Sequence, residues 1–184
     1  MTDYEFKFSI ITAVYDSADY LKQTVESLIT QDLDFKENVQ LILVDDGSTD
    51  ESREICLEYQ NQYPENIIFL SQPHSGVAHA RNLGLNHASG RYIGFLGSDD
   101  YLSGNALSEV LEFFDNNKDK CDVAVIPITN FGRENGSDFF NYKFGKESLV
   151  NLAENPDNPQ LDFSSCFIKS SAIDSVFDCD LIYS

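Results

Sequence analysis

Two adjacent carboxylates, Asp99 and Asp100, close an apolar segment that reads Arg-Tyr-Ile-Gly-Phe-Leu-Gly-Ser-Asp-Asp-Tyr-Leu from Arg91 to Leu102. Carboxylates avoid burial unless a partner compensates them, and two side by side repel each other. A divalent cation is a common partner at the end of a strand, because hard oxygen ligands suit Mg²⁺ or Mn²⁺. Such a cation is often shared with substrate phosphates. The pair therefore predicts a metal site for a ligand that carries phosphate.

Two other polar clusters also follow apolar segments. Tyr15 and Asp16 come after the first segment, and Asp45-Asp46-Gly47-Ser48 comes after the second. A carboxylate in such a place can accept hydrogen bonds from a nucleobase imide or a ribose hydroxyl, and a tyrosine can stack on a base. A structural interpretation stays open, because Asp and Ser also form turns and cap helices, and tyrosines also pack in cores.

The elements that must position these side chains alternate between strands and helices. The predicted strands are short, apolar and rich in β-branched residues, which is typical of a parallel sheet covered on both faces. They are Phe8–Val14, Val39–Val44, Ile67–Leu70, Tyr92–Leu96 and Val123–Ile128, with helices after Asp16 and over Glu51–Tyr63, Gly76–Ala88 and Ser103–Phe114. Ligands bind beyond the carboxyl ends of strands in such sheets, so we expect the three polar clusters to converge there.

The pattern weakens after Ile128. We expect an irregular segment over 132–145, a helix over 146–154, a strand over 163–168 and a short helix over 170–176. The chain ends on an unfinished apolar run, so we expect it to be part of a longer protein. The pattern therefore divides the chain into a regular part over 1–130 and a weakly patterned part over 131–184.

The composition limits the classes of partner. The chain has 184 residues, enough for one domain with a real core, and a formal net charge of −19. This charge repels nucleic acid and anionic membranes, so we expect neither to bind unaided, and it makes a cation more necessary for a phosphate ligand. Scattered cysteines, a polar N-terminus and the absence of a long apolar run predict free thiols, no signal peptide, no transmembrane segment and a cytoplasmic location.

The segment from His74 to Gly84 opens a predicted helix, whose start favours an anion. Arg81 is one of only 12 basic residues, but a solvated helix arginine paired with an acid explains it as well. His74, His79 and His87 are not spaced like a metal site, and we interpret them as surface or capping residues.

Together these segments resemble the family 2 glycosyltransferases, which have the GT-A fold, a Rossmann-like α/β sandwich with a mostly parallel central sheet. Four stretches carry the resemblance, in the family's order: Phe8–Asp16, Val44–Asp50, Gly76–Gly84 and Phe95–Asp100. The ordered set is far more specific than any one motif.

The resemblance implies a nucleotide-sugar-binding core over 1–130, the incomplete start of an acceptor-side region over 131–184, and roles for particular residues. The implied nucleotide-sugar site comprises Ala13 and Tyr15 in the base pocket, Asp45 and Asp46 reading the base, Arg81 on the nucleotide, and Ser98 and Asp99 on the donor. Asp99 and Asp100 would hold Mg²⁺ or Mn²⁺ on the donor diphosphate. Two departures stand out: Gly97 replaces the first Asp of the Asp-x-Asp motif, and the carboxylate base is expected only after Ser184.

The implied activity is metal-dependent transfer of a sugar from a nucleoside-diphosphate sugar, uridine-linked, to an acceptor. The acceptor would be a hydroxyl of a cell-surface polysaccharide, teichoic acid or glycolipid precursor, and transfer would invert the anomeric centre. Two alternatives remain: a nucleotide-sugar-binding fragment without turnover, and a Mg²⁺-binding receiver-like signalling domain. A receiver needs an acidic pair after its first strand, where this chain has Val14-Tyr15-Asp16.

Overall fold

The structure is a computed structural model that describes residues 4–118, 120–127 and 163–173, and this part contains six strands and five α-helices. The strands are β1 (Phe6–Val14), β2 (Val39–Asp45), β3 (Ile67–Ser71), β4 (Gly90–Phe95), β5 (Val123–Val125) and β6 (Cys166–Lys169). The helices are α1 (Ala18–Ile29), α2 (Phe35–Asn38), α3 (Ser52–Gln62), α4 (Val77–Leu85) and α5 (Ala106–Asn116). Short 3₁₀ turns over Phe163–Ser165 and Ser170–Ala172 flank β6.

The strands form one sheet in the order β3-β2-β1-β4-β6-β5. Strands β3, β2, β1 and β4 pair in parallel, whereas β6 pairs antiparallel with both β4 and β5. Every residue of β2 is buried, as expected for a central strand that is covered on both faces. The predicted mostly parallel α/β sheet is confirmed.

Helices cover both faces because successive side chains of a strand point to opposite sides. Ile10 of β1 belongs to the larger apolar core, which includes the buried faces of α1, α3 and α5. The next residue, Ile11, belongs to a smaller core on the other face, to which α4 contributes Ala80. Gly84 lets α4 approach closely, since a Cβ there would lie 2.5 Å from Ile11 Cγ2. This close packing fixes the position of Arg81 on the same helix.

The structure departs from the sequence expectations at the far end of the sheet. The strand predicted over 163–168 begins with a 3₁₀ turn, so β6 starts only at Cys166, and β5 ends at Val125. The short helix α2 was not predicted. Strand β6 lies between β4 and β5, so part of the predicted acceptor-side region belongs to the same sheet. The features predicted over 132–145, over 146–154 and after 173 lie outside the described residues.

Candidate functional site

The segments that follow β1, β2 and β4 meet at the carboxyl edge of the sheet. The backbone N–H of Asp46 donates to Val14 O at 2.8 Å, which joins the ends of β2 and β1. On the other side, the Ser17 and Ser98 hydroxyls are 2.6 Å apart, and Thr24 Oγ1 donates to Ser98 O at 2.9 Å. Because neighbouring strands lie about 4.8 Å apart, the ends of β2 and β4 are separated by roughly 10 Å. The predicted convergence of the polar clusters is therefore observed.

Asp46 is a buried carboxylate of this edge that accepts several hydrogen bonds. Its Oδ1 accepts from Gln72 Nε2 at 2.6 Å and from Ser75 N at 2.9 Å, while its Oδ2 accepts from Gly76 N at 2.9 Å. Burial alone would raise the pKa of Asp46, but the hydrogen bonds from Gln72, Ser75 and Gly76, with the nearby His74, outweigh it and lower the pKa. Asp46 is thus ionised and holds the segment that opens α4.

The His74 ring joins Asp46 to Tyr15. Its Nδ1 lies 2.9 Å from Asp46 Oδ2 and 3.1 Å from Asp46 O. Both neighbours are acceptors, so Nδ1 carries the hydrogen. The ring also lies against Tyr15, with centroids 4.3 Å apart and planes inclined by 31°. Gly47, at φ 80°, permits this approach, since a Cβ there would lie 2.8 Å from the backbone nitrogen of His74.

Asp45 has a structural part in the same loop. Its Oδ1 accepts from Ser48 N at 2.9 Å, and its Oδ2 accepts from Ser71 Oγ at 3.1 Å. The side chain is buried and points back to the turn and to β3. These contacts are the turn-forming role left open from the sequence, whereas any role of Asp45 in reading a base stays a prediction.

Two further aspartates fix the turn that carries Tyr15. Asp16 adopts φ 46°, and its Oδ1 accepts from Thr49 N at 2.7 Å. Asp50 accepts from Ala18 N at 2.9 Å and from Ser52 N at 3.0 Å, so one carboxylate satisfies the first backbone N–H of both α1 and α3. Burial alone would raise the pKa of Asp50, but hydrogen bonding from the Ser52 side chain, with the bonds from Ala18 N and Ser52 N, outweighs it and lowers the pKa. Tyr15, with 47% of its surface exposed, therefore projects from a turn that several hydrogen bonds hold in place.

Asp99 and Asp100 close around Gly97. The backbone N–H of Asp100 donates to Gly97 O at 3.1 Å, which forms a turn. A Cβ on Gly97 would lie 2.5 Å from Asp100 Oδ2 and 3.1 Å from Asp99 Oδ1. The two carboxylates thus come together in space that a side chain at residue 97 would otherwise occupy.

The described residues contain no group of three or more His, Cys, Asp and Glu side chains arranged to hold a metal ion. Two converging carboxylates still fit Mg²⁺ or Mn²⁺, because these ions commonly take one or two carboxylates and complete their shells with substrate phosphates and water. A metal at Asp99 and Asp100 stays a prediction.

The other predicted residues lie on the same edge or beside it. Ala13 is partly buried next to the end of β1 and pairs in register with Val44. The Arg81 guanidinium carbon lies 5.9 Å from the centre of the Phe95 ring, over the end of β4. Ser98 is bonded to Ser17 and Thr24, so it positions the turn that carries the two carboxylates.

Sequence reasoning missed two residues of this site. His74 was interpreted as a surface or capping residue, and Gln72 was not singled out. His74 is indeed exposed, but it contacts both Tyr15 and Asp46. No local sequence pattern predicts these contacts. They arise because β3 ends beside β2 in the sheet.

A parallel-stranded α/β sheet with polar loops gathered at its carboxyl edge places the chain among the α/β proteins that bind ligands beyond the carboxyl ends of their strands. The chain belongs to the family described as Glycosyl transferase family 2, whose sequence profile matches residues 9–177. The family predicted from the four ordered motifs is confirmed, and the receiver-like alternative is wrong.

Two teichoic acid biosynthesis proteins are among the relatives that the chain resembles. The chain is 39% identical over 173 residues to minor teichoic acid biosynthesis protein GgaB of Bacillus subtilis (strain 168), covering 94% of this chain and 19% of GgaB. It is 43% identical over 145 residues to minor teichoic acid biosynthesis protein GgaA of the same organism, covering 78% of this chain and 32% of GgaA. The chain thus spans a third or less of these relatives.

A crystal structure of S. aureus TarS 1-349 in complex with UDP matches the fold with a TM-score of 0.73 at 28% identity. The match covers 90% of this chain and 47% of the TarS chain, and another structure contains TarS with UDP-GlcNAc. The predicted GT-A fold is confirmed. In the part of the chain that the structure describes, no helix is long and apolar enough to cross a membrane.

Proposed function

We propose that this chain is the donor-binding portion of an inverting, metal-dependent glycosyltransferase that uses a uridine-diphosphate sugar. The observation that carries the proposal is the row of side chains along the carboxyl edge. Tyr15 and Asp46 lie at its β1–β2 end, and Asp99 and Asp100 lie at its β4 end. A nucleoside diphosphate laid along this edge has its base at one end and its phosphates at the other.

Each end of the row has the chemistry that its part of the donor needs. Tyr15 offers an exposed ring for stacking, and Asp46 is an ionised acceptor suited to the imide N–H of uracil. Arg81 supplies positive charge beside the row. When bound, a cation held by Asp99 and Asp100 would neutralise charge that develops on the departing diphosphate.

The acceptor side rests on the relatives. GgaB and GgaA are named for minor teichoic acid biosynthesis, so we propose a teichoic acid or related cell-envelope polysaccharide or glycolipid precursor as the acceptor. The base that activates its hydroxyl is proposed to follow Ser184, and residues 131–184 to begin the acceptor-side region. We place this reaction in the cytoplasm, at the inner face of the membrane.

Calorimetry with UDP tests the donor site. We expect binding in the presence of Mn²⁺ and a large loss of affinity with excess chelator or in the Asp99→Asn/Asp100→Asn variant. Asp115→Asn is the matched control, because Asp115 is exposed at the end of α5 and lies far from the edge. Equal UDP affinity with and without chelator would show that the metal role is wrong. Absence of UDP binding under all conditions would overturn the donor site itself.

A further inference from the structure

His74 occupies the space beside the two side chains that the proposed donor requires for its base. Its ring lies against Tyr15 with centroids 4.3 Å apart and planes inclined by 31°, and its Nδ1 lies 2.9 Å from Asp46 Oδ2 and hydrogen-bonds Asp46 O at 3.1 Å. A uracil ring in the proposed site would stack on the same tyrosine and donate its imide N–H to the same carboxylate. The imidazole is itself a flat heterocycle, and it fills the space beside Tyr15 and the Asp46 carboxylate that such a base would take.

Asp46 has no free acceptor site for a base while His74 is bound. Its two oxygens receive hydrogen bonds from Gln72, Ser75 and Gly76, and His74 supplies a fourth polar contact. The carboxylate is 4% exposed, whereas the His74 side chain is 58% exposed. Ser75 and Gly76 bind through their backbones, and of the two side-chain partners Gln72 is half-buried whereas His74 is exposed, so His74 is the partner that a ligand reaches first.

The backbone around His74 does not need to move when its ring leaves. Ser75 N and Gly76 N stay bonded to Asp46, and the His74 backbone rests against Gly47. The ring itself lies at the surface, so rotation about its side-chain torsions carries it into solvent. The incoming base replaces the ring contact with Tyr15 and the polar contact with the Asp46 carboxylate.

We infer that the His74 imidazole occupies the nucleobase position of the donor pocket and is displaced by a base that carries a ring N–H donor. This inference rests on the proposed nucleotide-sugar function and adds to it a residue that covers the base site until the donor binds. Once the ring has left, uracil can donate its ring N–H to Asp46, whereas cytosine presents a ring nitrogen lone pair at the matching position and cannot. The exchange with His74 weakens the binding of every nucleotide by the same factor, and Asp46 then selects the base.

The first test compares UDP affinities by calorimetry in the presence of Mn²⁺. Because the His74 ring must leave before UDP binds, the apparent dissociation constant is the intrinsic one divided by the fraction of molecules whose ring has left the site. We expect His74→Ala to bind UDP about tenfold more tightly than the unmodified chain. His87→Ala is the matched control, since His87 is exposed and lies at the opposite end of α4. CDP should bind the unmodified chain at least about tenfold more weakly than UDP.

The second test follows the ring itself by NMR of the histidine side chains. Stacking on Tyr15 shifts the His74 ring protons, and we expect UDP to return them to the values of a solvent-exposed histidine while His87 is unaffected. Unchanged or weaker UDP binding by His74→Ala, or a His74 signal that UDP leaves in place, would overturn the displacement alone. If neither the unmodified chain nor His74→Ala binds UDP, the proposed function and the displacement both fail.

Discussion

Replacing Asp46 with asparagine measures how much one carboxylate contributes to the candidate site as a structural element. Asp46 Oδ1 accepts from Ser75 N and Asp46 Oδ2 accepts from Gly76 N, each at 2.9 Å. An asparagine amide has one acceptor oxygen and one NH₂ group. Whichever way the amide is turned, one backbone N–H faces another donor.

The magnitude follows from these contacts. A buried N–H left without a partner costs about 1–3 kcal/mol, and the remaining bonds lose the strengthening that an ionised acceptor gives. We therefore expect Asp46→Asn to lower the free energy of unfolding by about 2–4 kcal/mol. For a chain of this size, this corresponds to a fall in Tm of roughly 5–15 °C.

Urea unfolding followed by circular dichroism checks this value, with Asp115→Asn as the exposed control. The control should change the free energy of unfolding by less than about 0.5 kcal/mol. His74→Ala should cost about 1 kcal/mol or less, because it removes one partly exposed donor and leaves the backbone bonds intact. If Asp46→Asn lowered the free energy of unfolding no more than Asp115→Asn does, the hydrogen bonds from Ser75 and Gly76 would not be holding the start of α4.

Three further predictions follow from the same contacts. Gly97→Ala puts a Cβ 2.5 Å from Asp100 Oδ2, so the affinity for UDP with Mn²⁺ should fall about tenfold in calorimetry. Gly104→Ala is the control and should not change this affinity, because a Cβ there meets open space. Gly84→Ala puts a Cβ 2.5 Å from Ile11 Cγ2 and should cost about 1–3 kcal/mol of unfolding free energy; adding Ile11→Ala should cost less than the two single changes together. Asp46 and Asp50 have pKa values below the ordinary 3.8, so their contribution to stability is complete above about pH 4 and is lost as pH falls through their lowered pKa values. Acid titration at fixed urea checks this, and Asp46→Asn should flatten the titration curve.

The sequence predicted most of the fold because the central strands carry strong local signals. Strand β2 is apolar at nearly every position, and its burial on both faces follows from that composition. The order of the last two strands had no such signal. Strand β6 pairs with β4 and β5 through contacts between distant residues, and the alternation of side chains within a strand of four residues says nothing about its neighbours.

The candidate site was predictable to the level of residue types but not of contacts. Acidic residues at strand ends indicated which edge carries the site, and topology brings them together there. The sequence could not tell that Asp45 bonds to Ser48 and Ser71 while Asp46 bonds to the segment after β3. Both aspartates are identical in type and adjacent in sequence, so only the direction of each side chain separates their roles.

The structure changes the interpretation of Gly97, which stands where the Asp-x-Asp motif has its first acid. Compared by position, glycine here is a lost carboxylate and predicts a weaker donor site. In the structure, Asp100 Oδ2 lies 2.5 Å from where a Cβ of residue 97 would be. A side chain at residue 97 and the present position of the Asp100 carboxylate therefore exclude each other. Restoring the family's residue with Gly97→Asp would thus move Asp100 rather than simply add a third carboxylate. If the donor site depends on the present position of Asp100, Gly97→Asp should weaken Mn²⁺-dependent UDP binding as Gly97→Ala does. If instead Gly97→Asp binds UDP more tightly while Gly97→Ala does not, the glycine has cost the site a useful carboxylate.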